Sequence, residues 1–339
     1  MRAVVMSETG GPSVLQLDEV ADPEPGEFQV VIRVAACGIC GHDQADRMGL
    51  THIPLPAVLG HEVAGEVVAV GGKVRRFAVG DRVAIKQFST CGACAACLSG
   101  DELRCPQKSF NYGGYAEFMA VDEAAVLGIP DDVGFADAAV VACTIGTCYQ
   151  ALTRIGDVRP GETVAVTGAG GGLGLHAIQV ARSLGAIPIA VTSSPTKSDE
   201  LIEIGAAHVV VGGKDAWHEL LDLTDGHGVD VVLDNVGAPA VFSGCFRGLR
   251  HSGRYVFTGQ VTSQPINLYP AFVFGKEATI TGSASTLMSS FIASMELVKQ
   301  KKIRPVTSTF ALDDVVGAFA AVDERAVTGR AVLLPGGAA

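Results

Sequence analysis

The sequence predicts two domains of the α/β class: an irregular antiparallel, barrel-like domain and a doubly wound parallel sheet inserted into it. A chain of 339 residues is too long for one ordinary hydrophobic core. The first 140 or so residues, and the last 50 or so, read as short apolar runs broken by Gly and Pro turns. From about Gly146 apolar runs alternate with amphipathic helices, which is typical of a parallel sheet with helices on both faces.

Three apolar runs near the start of the chain predict strands of the first domain. They are FQVVIRVAA after the turn DPEPGE, HEVAGEVVAV before a glycine pair, and DRVAIKQF after Gly80. Short strands separated by turn residues at this spacing favour an irregular antiparallel barrel.

The middle of the chain follows a strand–helix rhythm. The predicted strands are ETVAVTG, IPIAVTSS, HVVVGG, GVDVVLDNVG, GRYVFTGQ and ATITGSA, and the predicted helices are LGLHAIQVARSLGA and KSDELIEIGA. An amphipathic helix over Ser289–Lys299 and strands near Pro305 and Ala331 then return to the style of the first domain.

Composition excludes several classes of protein. The formal net charge of −11 argues against broad contact with nucleic acid or an anionic membrane. The basic cluster from Lys299 to Arg304 is interpreted as a solvated helix end favoured by the helix dipole, in preference to a phosphate-binding patch. No segment has the pattern of a signal peptide or of a membrane span, which predicts a cytoplasmic protein. In a reducing cytosol, clustered cysteines indicate metal binding or catalysis more often than disulfides.

Four cysteines form a C-x2-C-x2-C-x7-C pattern at Cys91, Cys94, Cys97 and Cys105. Four thiolates can close a tetrahedral shell around zinc and leave no position for water, so this loop is predicted to hold a structural zinc ion. An iron–sulfur ligand set and an accidental cysteine-rich loop are the alternatives.

A second candidate metal site is dispersed along the chain. In ACGICGHDQAD, the pair Cys37 and Cys40 could be a redox pair, half of a zinc site, or one ligand beside an idle thiol. The segment GHEVAGEVVAVGGKV places His61 at the start of a predicted strand. Together with Cys40 and Cys143, His61 makes a candidate Cys2His set with one open coordination position.

These motifs, taken in order, resemble the medium-chain zinc-containing alcohol dehydrogenases over essentially the whole chain. The shared features are GHE-x2-G-x5-G-x2-V, the cysteine run 91–105, CGICGHD, ACTIGTCY and a glycine-rich strand–helix unit. The resemblance implies a GroES-like catalytic domain (1–144 and 286–339, with a structural-zinc loop at 91–105) interrupted by a Rossmann domain (145–285).

The resemblance also implies roles for the residues around the second site. Cys40, His61 and Cys143 would bind the catalytic zinc, giving two zinc ions per chain with the cysteine-rich loop. Glu62 would be the carboxylate that approaches the metal during ligand exchange, and Asp43 would orient His61. The other cysteines (Cys37, Cys148 and Cys245) have no ligand role and are expected to be buried.

His42 lies where many members of the family carry the Ser or Thr that passes the alcohol proton outward. An imidazole can do this near neutral pH. The alternative is that His42 shapes the pocket or contacts the ribose of the cofactor.

A glycine-rich segment, VAVTGAGGGLGLHAIQVAR, predicts a dinucleotide site because its backbone can approach a pyrophosphate at a helix N-terminus. Its fit to G-x-G-x-x-G is imperfect, reading Ala169-x-Gly171-x-x-Gly174. The predicted contacts of this turn are Gly168, Ala169, Gly171, Gly172, Leu173 and Gly174.

The next strand ends in Thr192, Ser193 and Ser194, with no acidic residue before Asp199. Removing that acid removes repulsion against a 2′-phosphate, which the hydroxyl groups and Lys197 could bind. NADP(H) is therefore favoured over NAD(H), although no arginine clamp is present. The resemblance further implies that Thr147, Val236 and Gly259 lie near the nicotinamide and that Arg330 reaches the pyrophosphate.

The predicted activity is reversible oxidation of a small-molecule alcohol to an aldehyde or ketone. The same scaffold can reduce an activated C=C bond of an enone or thioester, and Gln87, near where relatives carry an apolar pocket residue, hints at a more polar substrate. A zinc-ribbon nucleic-acid-binding protein is disfavoured by the acidic charge, and a non-catalytic dinucleotide sensor by the intact Cys2His set. The resemblance implies a homo-oligomer, a tetramer or a dimer.

Overall fold

The computed structural model describes residues 1–336 and forms two compact units. Unit 1 comprises Met1–Gly146, Ser285–Gln300 and the chain from Pro305 onwards, and unit 2 comprises Thr147–Ala284 with Lys301–Arg304. The prediction placed residues 286–339 together in the first domain, whereas the structure assigns Lys301–Arg304 to unit 2. Within unit 2, the side chain of Gln179 donates to Arg304 O (2.9 Å) and accepts from Arg304 N (2.7 Å), which holds this segment there.

The first part of unit 1 consists mainly of short strands. They are β1 (Arg2–Met6), β2 (Leu15–Glu19), β3 (Gln29–Gly38), β4 (Ala57–Val58), β5 (Glu62–Val70), β6 (Arg82–Ile85), β7 (Phe88–Ser89), β8 (Ser109–Phe110), β9 (Phe118–Asp122) and β10 (Val126–Gly128). The helices are α1 (Gly41–Arg47), α2 (Ala95–Leu98) and α3 (Phe135–Ala139). A π-helical turn, Val141–Ile145, precedes α4 (Gly146–Gln150), where unit 2 begins, and a second π-helical turn, Ala151–Ile155, follows within unit 2.

Unit 2 alternates strands and helices as predicted. The strands are β11 (Thr163–Thr167), β12 (Ile187–Thr192), β13 (His208–Val211), β14 (Val229–Asp234), β15 (Leu249–Phe257) and β16 (Thr279–Gly282). The helices are α5 (Gly172–Ser183), α6 (Ser198–Ile204), α7 (Ala216–Asp222), α8 (Pro239–Arg247) and α9 (Pro270–Lys276).

Within the described residues, the strands of unit 2 form one parallel sheet in the order β13-β12-β11-β14-β15-β16. The order reverses at β11, so the first strand lies in the middle, which is the arrangement of a doubly wound dinucleotide-binding fold. Strand β11 is almost wholly buried and reads as a continuous apolar run because helices cover both faces of such a sheet. The predicted α/β class is confirmed.

Unit 1 is completed by α10 (Met288–Lys299), β17 (Thr307–Ala311), α11 (Val315–Asp323) and β18 (Arg330–Leu334). The main sheet of the described part of unit 1 has the order β10-β6-β5-β3-β18-β17, with β9 also pairing with β3. Most of its pairs are antiparallel, whereas β17 and β18 run parallel. The core inside this sheet includes Ile32, Val67, Tyr115 and Phe319.

None of the helices in residues 1–336 has the length and apolar character that crossing a membrane requires.

Candidate functional site

All three predicted catalytic-zinc ligands and a neighbouring carboxylate converge in unit 1. One ligand atom from each of Cys40, His61, Glu62 and Cys143 lies within 4.8 Å of all the others, and all four residues are buried. The sulfur atoms of Cys40 and Cys143 are 3.8 Å apart, and Cys143 Sγ lies 3.7 Å from His61 Nε2. With Zn–S bonds of about 2.3 Å and Zn–N bonds of about 2.0 Å, a tetrahedral zinc ion separates its ligands by about 3.5–3.8 Å. The donors therefore fit a zinc ion.

Pairing between β3 and β5 brings two of these ligands together. Gly38 at the end of β3 lies opposite Glu62 at the start of β5, so Cys40 and His61 leave the same end of the sheet. A Cβ atom on Gly38 would lie within 2.3 Å of Glu62 Oε2, so only glycine leaves room for that carboxylate. Cys143 comes from the buried π-helical turn, a conformation that occurs frequently at functional sites.

Asp43 holds the imidazole of His61 and the backbone at Cys40 and Gly60 in place. Its Oδ1 lies 3.1 Å from His61 Nδ1, and its two oxygens accept the N–H groups of Cys40 (2.8 Å) and Gly60 (3.2 Å). When Nδ1–H donates to the carboxylate, Nε2 keeps its lone pair and faces the two sulfurs, as a metal-binding histidine requires. Three donors on one buried carboxylate allow little movement of the imidazole.

The ionisation of the cluster differs sharply from that of its neighbour Cys37. The hydrogen bond with Cys143, then the charges of Arg330 and His61, hold the pKa of Cys40 well below its usual range despite burial. The hydrogen bond between the two sulfur atoms, together with burial, holds the pKa of Cys143 well above its usual range. Burial raises the pKa of Cys37, which lies in the hydrophobic core, so its thiol stays protonated. The structure thus gives the two cysteines of the C-x-x-C motif different environments.

Glu62 is buried beside Arg330. Their charged groups approach to 3.3 Å, while Arg330 Nε donates to Thr144 Oγ1 (2.7 Å) and Nη1 to Ile39 O (3.2 Å). Burial raises the pKa of Glu62 to about 7, against the opposing charge of Arg330. Arg330 is 7% exposed, and the structure places its guanidinium against these groups of unit 1. Its predicted contact with a cofactor pyrophosphate stays a prediction.

The four cysteines of loop 91–105 also converge. The sulfurs of Cys94 and Cys97, and those of Cys91 and Cys105, are 3.5 Å apart, and those of Cys91 and Cys97 are 4.0 Å apart. Sulfur atoms around tetrahedral zinc are about 3.8 Å apart, so this donor set also fits zinc. The N–H groups of Ala93 and Cys94 point at Cys91 and lower the pKa of its thiol to about 6, which favours the thiolate that a metal binds.

The glycine-rich turn of unit 2 joins β11 to α5. Gly168 has a φ of +58°, and Gly171 is the N-cap of α5. A Cβ atom on Gly174 would lie 2.3 Å from Gly168 O, so only glycine allows the helix to pack this closely against the turn. Ala169 is buried, Gly171 is exposed, and Gly172 and Leu173 at the start of the helix are half-buried. Backbone N–H groups are therefore available to an anion at this end.

The end of β12 carries the predicted discriminating hydroxyl groups. Thr192 is buried and its Oγ1 accepts the N–H of Ser194 (3.1 Å), while Ser193 is exposed. Ser194 Oγ pairs with Thr196 Oγ1 at 2.9 Å. Lys197 crosses the glycine-rich turn and donates from Nζ to Gly170 O (2.9 Å). Its ammonium group is thus held at the turn, next to the position predicted for the cofactor.

The carboxyl ends of β14 and β15 contain a network that the sequence analysis missed. Buried Asp234 accepts hydrogen bonds from Thr167 Oγ1 (2.7 Å), Tyr255 OH (2.7 Å) and the N–H groups of Val236 (2.9 Å) and Gly237 (3.0 Å). It therefore fixes the loop that carries Val236, a predicted nicotinamide contact. Pairing of β14 with β11 and with β15 brings Thr167 and Tyr255 to Asp234, and no motif in the sequence indicated this network.

Two other predicted contacts lie in unit 2 as well. Thr147, at the start of α4, is buried. A Cβ atom on Gly259 would lie 2.4 Å from Asn235 O, so this position after β15 has to be glycine. Their predicted contact with a nicotinamide is not tested by these observations.

Comparison with known proteins identifies the family. Residues 26–131 match the alcohol dehydrogenase GroES-like domain, and residues 172–300 match the zinc-binding dehydrogenase domain. This chain belongs to the zinc-containing medium-chain dehydrogenase family. This confirms the resemblance found in the motifs and the predicted combination of a GroES-like and a Rossmann domain. The protein is an oxidoreductase.

Its relatives differ in the reactions named for them. An acryloyl-coenzyme A reductase of Sulfurisphaera tokodaii is 33% identical, over 99% of this chain and 100% of the relative. An NAD-dependent alcohol dehydrogenase of the same organism is 31% identical, again over 99% and 100%. The crystal structure of an NAD-dependent alcohol dehydrogenase superposes with a TM-score of 0.95 at 34% identity, over 99% of this chain and 100% of that one.

His42 lies on α1 and is 43% exposed. Its Nε2 is 3.1 Å from Tyr112 OH, and its ring stacks on Phe110 with the ring centres 5.0 Å apart. Tyr112 OH also donates to Asp46 Oδ2 (2.8 Å). These three neighbours of His42 (Tyr112, Phe110 and Asp46) were not predicted from the sequence. The spacing of His42 and Asp46, four residues apart on a helix, was a signal that could have found Asp46.

We expect Asp43→Asn to weaken metal binding at the Cys40–His61–Cys143 cluster about 10- to 100-fold, since an amide accepts hydrogen bonds less strongly and frees the imidazole of His61 to rotate. Competition with a chelator, monitored by metal content, measures this change. Asp18→Asn, at an exposed position of β2, is the matched control and should bind metal like the parent. Unchanged affinity in Asp43→Asn would show that the carboxylate does not support the ligand.

Proposed function

We propose that this protein is a zinc-dependent, NAD(P)(H)-linked oxidoreductase that interconverts a small-molecule alcohol with its aldehyde or ketone. The observation that carries the proposal is the convergence of Cys40, His61 and Cys143, with Asp43 orienting the histidine. Three protein donors are typical of a catalytic zinc site, because a closed structural site uses four. The four cysteines of loop 91–105 would hold the second zinc ion of the chain.

In this proposal each residue of the cluster has a distinct task. When bound, the zinc ion supplies a Lewis acid and the nicotinamide gives or takes the hydride at C4. Cys40 offers a thiolate, favoured by Arg330 and His61, and His61 offers Nε2 because Asp43 occupies Nδ1. His42, which is partly exposed, accepts the alcohol proton at an imidazole nitrogen and releases it to solvent.

For the cofactor we propose NADP(H) in preference to NAD(H). The support is the hydroxyl-rich end of β12, where exposed Ser193 lies beside Ser194 and no acidic residue lies between the end of the strand and Asp199. Lys197, held at the glycine-rich turn, adds a positive charge close by. A 2′-phosphate would meet donors here and no repelling acid.

We also propose that the chain forms a homo-oligomer, a dimer or a tetramer. Unit 2 exposes large apolar side chains around α9, of which Tyr269, Phe272 and Phe274 are more than half exposed. An exposed apolar patch of this kind is typical of a protein–protein interface.

Reduction of an activated C=C bond is a second candidate. It is favoured by the acryloyl-coenzyme A reductase relative at 33% identity over 99% of this chain. A polar pocket would suit an acyl substrate of this class. Gln87 supports one, since it is 3% exposed and its Oε1 has no hydrogen-bond partner among the described residues. A buried carbonyl oxygen without a partner costs about 1–3 kcal/mol, so a ligand or water that donates to it is favoured.

One parallel assay separates the two activities. NADPH and NADH oxidation are followed with an aldehyde panel, an enone and an acryloyl thioester, and zinc is counted in the same sample. Carbonyl reduction that is faster with NADPH and accompanied by two zinc ions per chain is the expected result. Turnover only with the enone or the thioester would replace the proposal by the second candidate, and turnover with none of them would refute both.

A further inference from the structure

A short chain of hydrogen bonds runs from His42 into the interior of unit 1. Tyr112 OH lies between His42 Nε2 (3.1 Å) and Asp46 Oδ2 (2.8 Å). The other oxygen of Asp46 accepts the hydroxyl of Thr51. Asp46 is 1% exposed, whereas His42 is 43% exposed. Nε2 of the imidazole is therefore anchored to a buried carboxylate through the hydroxyl group of Tyr112, and Nε2 also lies 3.7 Å from Asp46 Oδ2 itself.

The direction of these hydrogen bonds follows from the number of protons available. Both oxygens of Asp46 accept, one from Thr51 and one from Tyr112. A phenol has one proton, and Tyr112 gives it to Asp46. The Tyr112 oxygen can then only accept from His42, so His42 Nε2 carries a hydrogen. In a neutral imidazole with Nε2–H, Nδ1 holds the free lone pair.

Aromatic packing fixes the plane of the same ring. His42 stacks on Phe110 with 22° between the planes and 5.0 Å between centres. It meets His61 edge-on at 5.8 Å and 88°, and Phe110 itself packs against His61 at 4.8 Å. One face and one nitrogen of His42 are thus held, and rotation about Cβ–Cγ would break both contacts.

We propose that Tyr112 and Asp46 are positioning residues that select the Nε2–H tautomer of His42 and leave Nδ1 as its hydrogen-bond acceptor. The consequence for catalysis rests on the proposed function, in which His42 takes the alcohol proton. The tautomer itself follows from the contacts of Tyr112 and Asp46, whatever the substrate is. A hydroxyl that accepts from the histidine and donates to a carboxylate orients the imidazole without touching the substrate.

The test uses Tyr112→Phe in the full-length, zinc-loaded protein. The substitution keeps the ring that packs beside Phe110 and removes only the hydroxyl group. Nitrogen-15 NMR of protein labelled in its histidine imidazoles reports which ring nitrogen carries hydrogen, and the His42 signals are assigned by their loss in His42→Gln. We expect Nε2–H in the parent and a mixture of the two tautomers in Tyr112→Phe.

Kinetics give the second readout. We expect kcat of Tyr112→Phe to fall about 10-fold, with KM within about twofold, since a positioned acid–base group contributes about 10²–10⁴-fold and only its orientation is lost here. Asp46→Asn, which still offers an oxygen to Tyr112, should retain more of the parent kcat than Asp46→Ala. Ser13→Ala, which removes a hydroxyl group from an exposed residue that has no role in the proposal, is the control and should leave kcat and the His42 spectrum unchanged.

The results separate this inference from the proposed function. A parent spectrum with hydrogen on Nδ1, or an unchanged tautomer in Tyr112→Phe, would overturn the inference whatever the substrate is. So would a lower melting temperature of Tyr112→Phe with unchanged kcat and tautomer, because the hydroxyl would then have only a structural role. If the parent shows Nε2–H and Tyr112→Phe loses it, the tautomer assignment stands even where carbonyl assays fail and refute the proposed function.

Discussion

Cys40→Ser is expected to remove one zinc ion per chain and to lower kcat/KM for the alcohol reaction about 10³-fold or more. A serine hydroxyl does not ionise near neutral pH, so the site loses the thiolate that Arg330 and His61 favour at Cys40. Two donors, Cys143 and His61, are too few for a three-ligand catalytic site. A bound zinc ion supplies several kcal/mol of charge stabilisation, and each 1.36 kcal/mol corresponds to about tenfold in rate.

Cys37→Ser is the matched control for this experiment, because it makes the same atomic change three residues earlier. Cys37 lies in the core of unit 1, where burial keeps its thiol protonated. We expect this variant to keep both zinc ions and a kcat within about threefold, with a loss of stability of about 1 kcal/mol for placing a hydroxyl group in the core. Elemental analysis of metal content and steady-state kinetics measure both variants.

Two outcomes would contradict the assignment. Retention of two zinc ions and full turnover in Cys40→Ser would exclude Cys40 as a ligand. Loss of metal in Cys37→Ser would show that the C-x-x-C pair acts as a unit, as in a redox pair or a shared zinc site.

Cys97→Ser is expected to remove the other zinc ion and to destabilise unit 1 by about 3 kcal/mol or more. A four-thiolate zinc site contributes directly to folding, since the apparent binding free energy of a structural zinc ion is about 10–16 kcal/mol in small zinc-binding peptides. The loop has a second anchor, the buried ion pair of Lys86 and Glu102 at 3.1 Å, so we expect the rest of unit 1 to stay folded. The loss in the whole protein is therefore smaller than the full binding free energy.

Chemical denaturation with and without a chelator, together with metal content, tests this prediction. Ser99→Ala lies in the same loop at an exposed position and should keep both metals and the parent stability. The metal at the Cys40 cluster should remain in Cys97→Ser. If Cys97→Ser unfolds at the parent denaturant concentration with both ions bound, loop 91–105 is not a metal site.

The elements of unit 2 could be predicted because their signals are local. A buried strand, a glycine-rich turn and an amphipathic helix follow one another between Thr163 and Ser183, and each depends on residues a few positions apart. The convergence of Cys91, Cys94, Cys97 and Cys105 was predictable for the same reason, since a short loop can bring four closely spaced sulfurs together. The parallel direction of the strands followed from their alternation with helices, whereas the strand order came from the structure.

The Cys40–His61–Cys143 cluster of unit 1 could be predicted only in part from the sequence. Cys40 and His61 meet because β3 pairs with β5, and Cys143 joins them from a turn about 80 residues further along the chain. The residue types indicated these candidate ligands, and the family resemblance grouped them into one site. Neither shows which atoms come together. The same limit applies to Arg330, whose guanidinium the structure places beside Glu62.

The sequence by itself determined the fold class, the family, the four-cysteine loop and the candidates for the Cys2His site, because these depend on local spacing and residue type. Only the tertiary structure decided which side chains share hydrogen bonds. The separation of Cys37 from Cys40 and the support of His61 by Asp43 were implied by the resemblance, but the contacts behind them come from the structure. The link from His42 through Tyr112 to Asp46 was not predicted, because Tyr112 is distant in sequence from the other two residues. Such contacts follow from strand pairing and core packing, which place atoms within hydrogen-bond distance independently of any pattern along the chain.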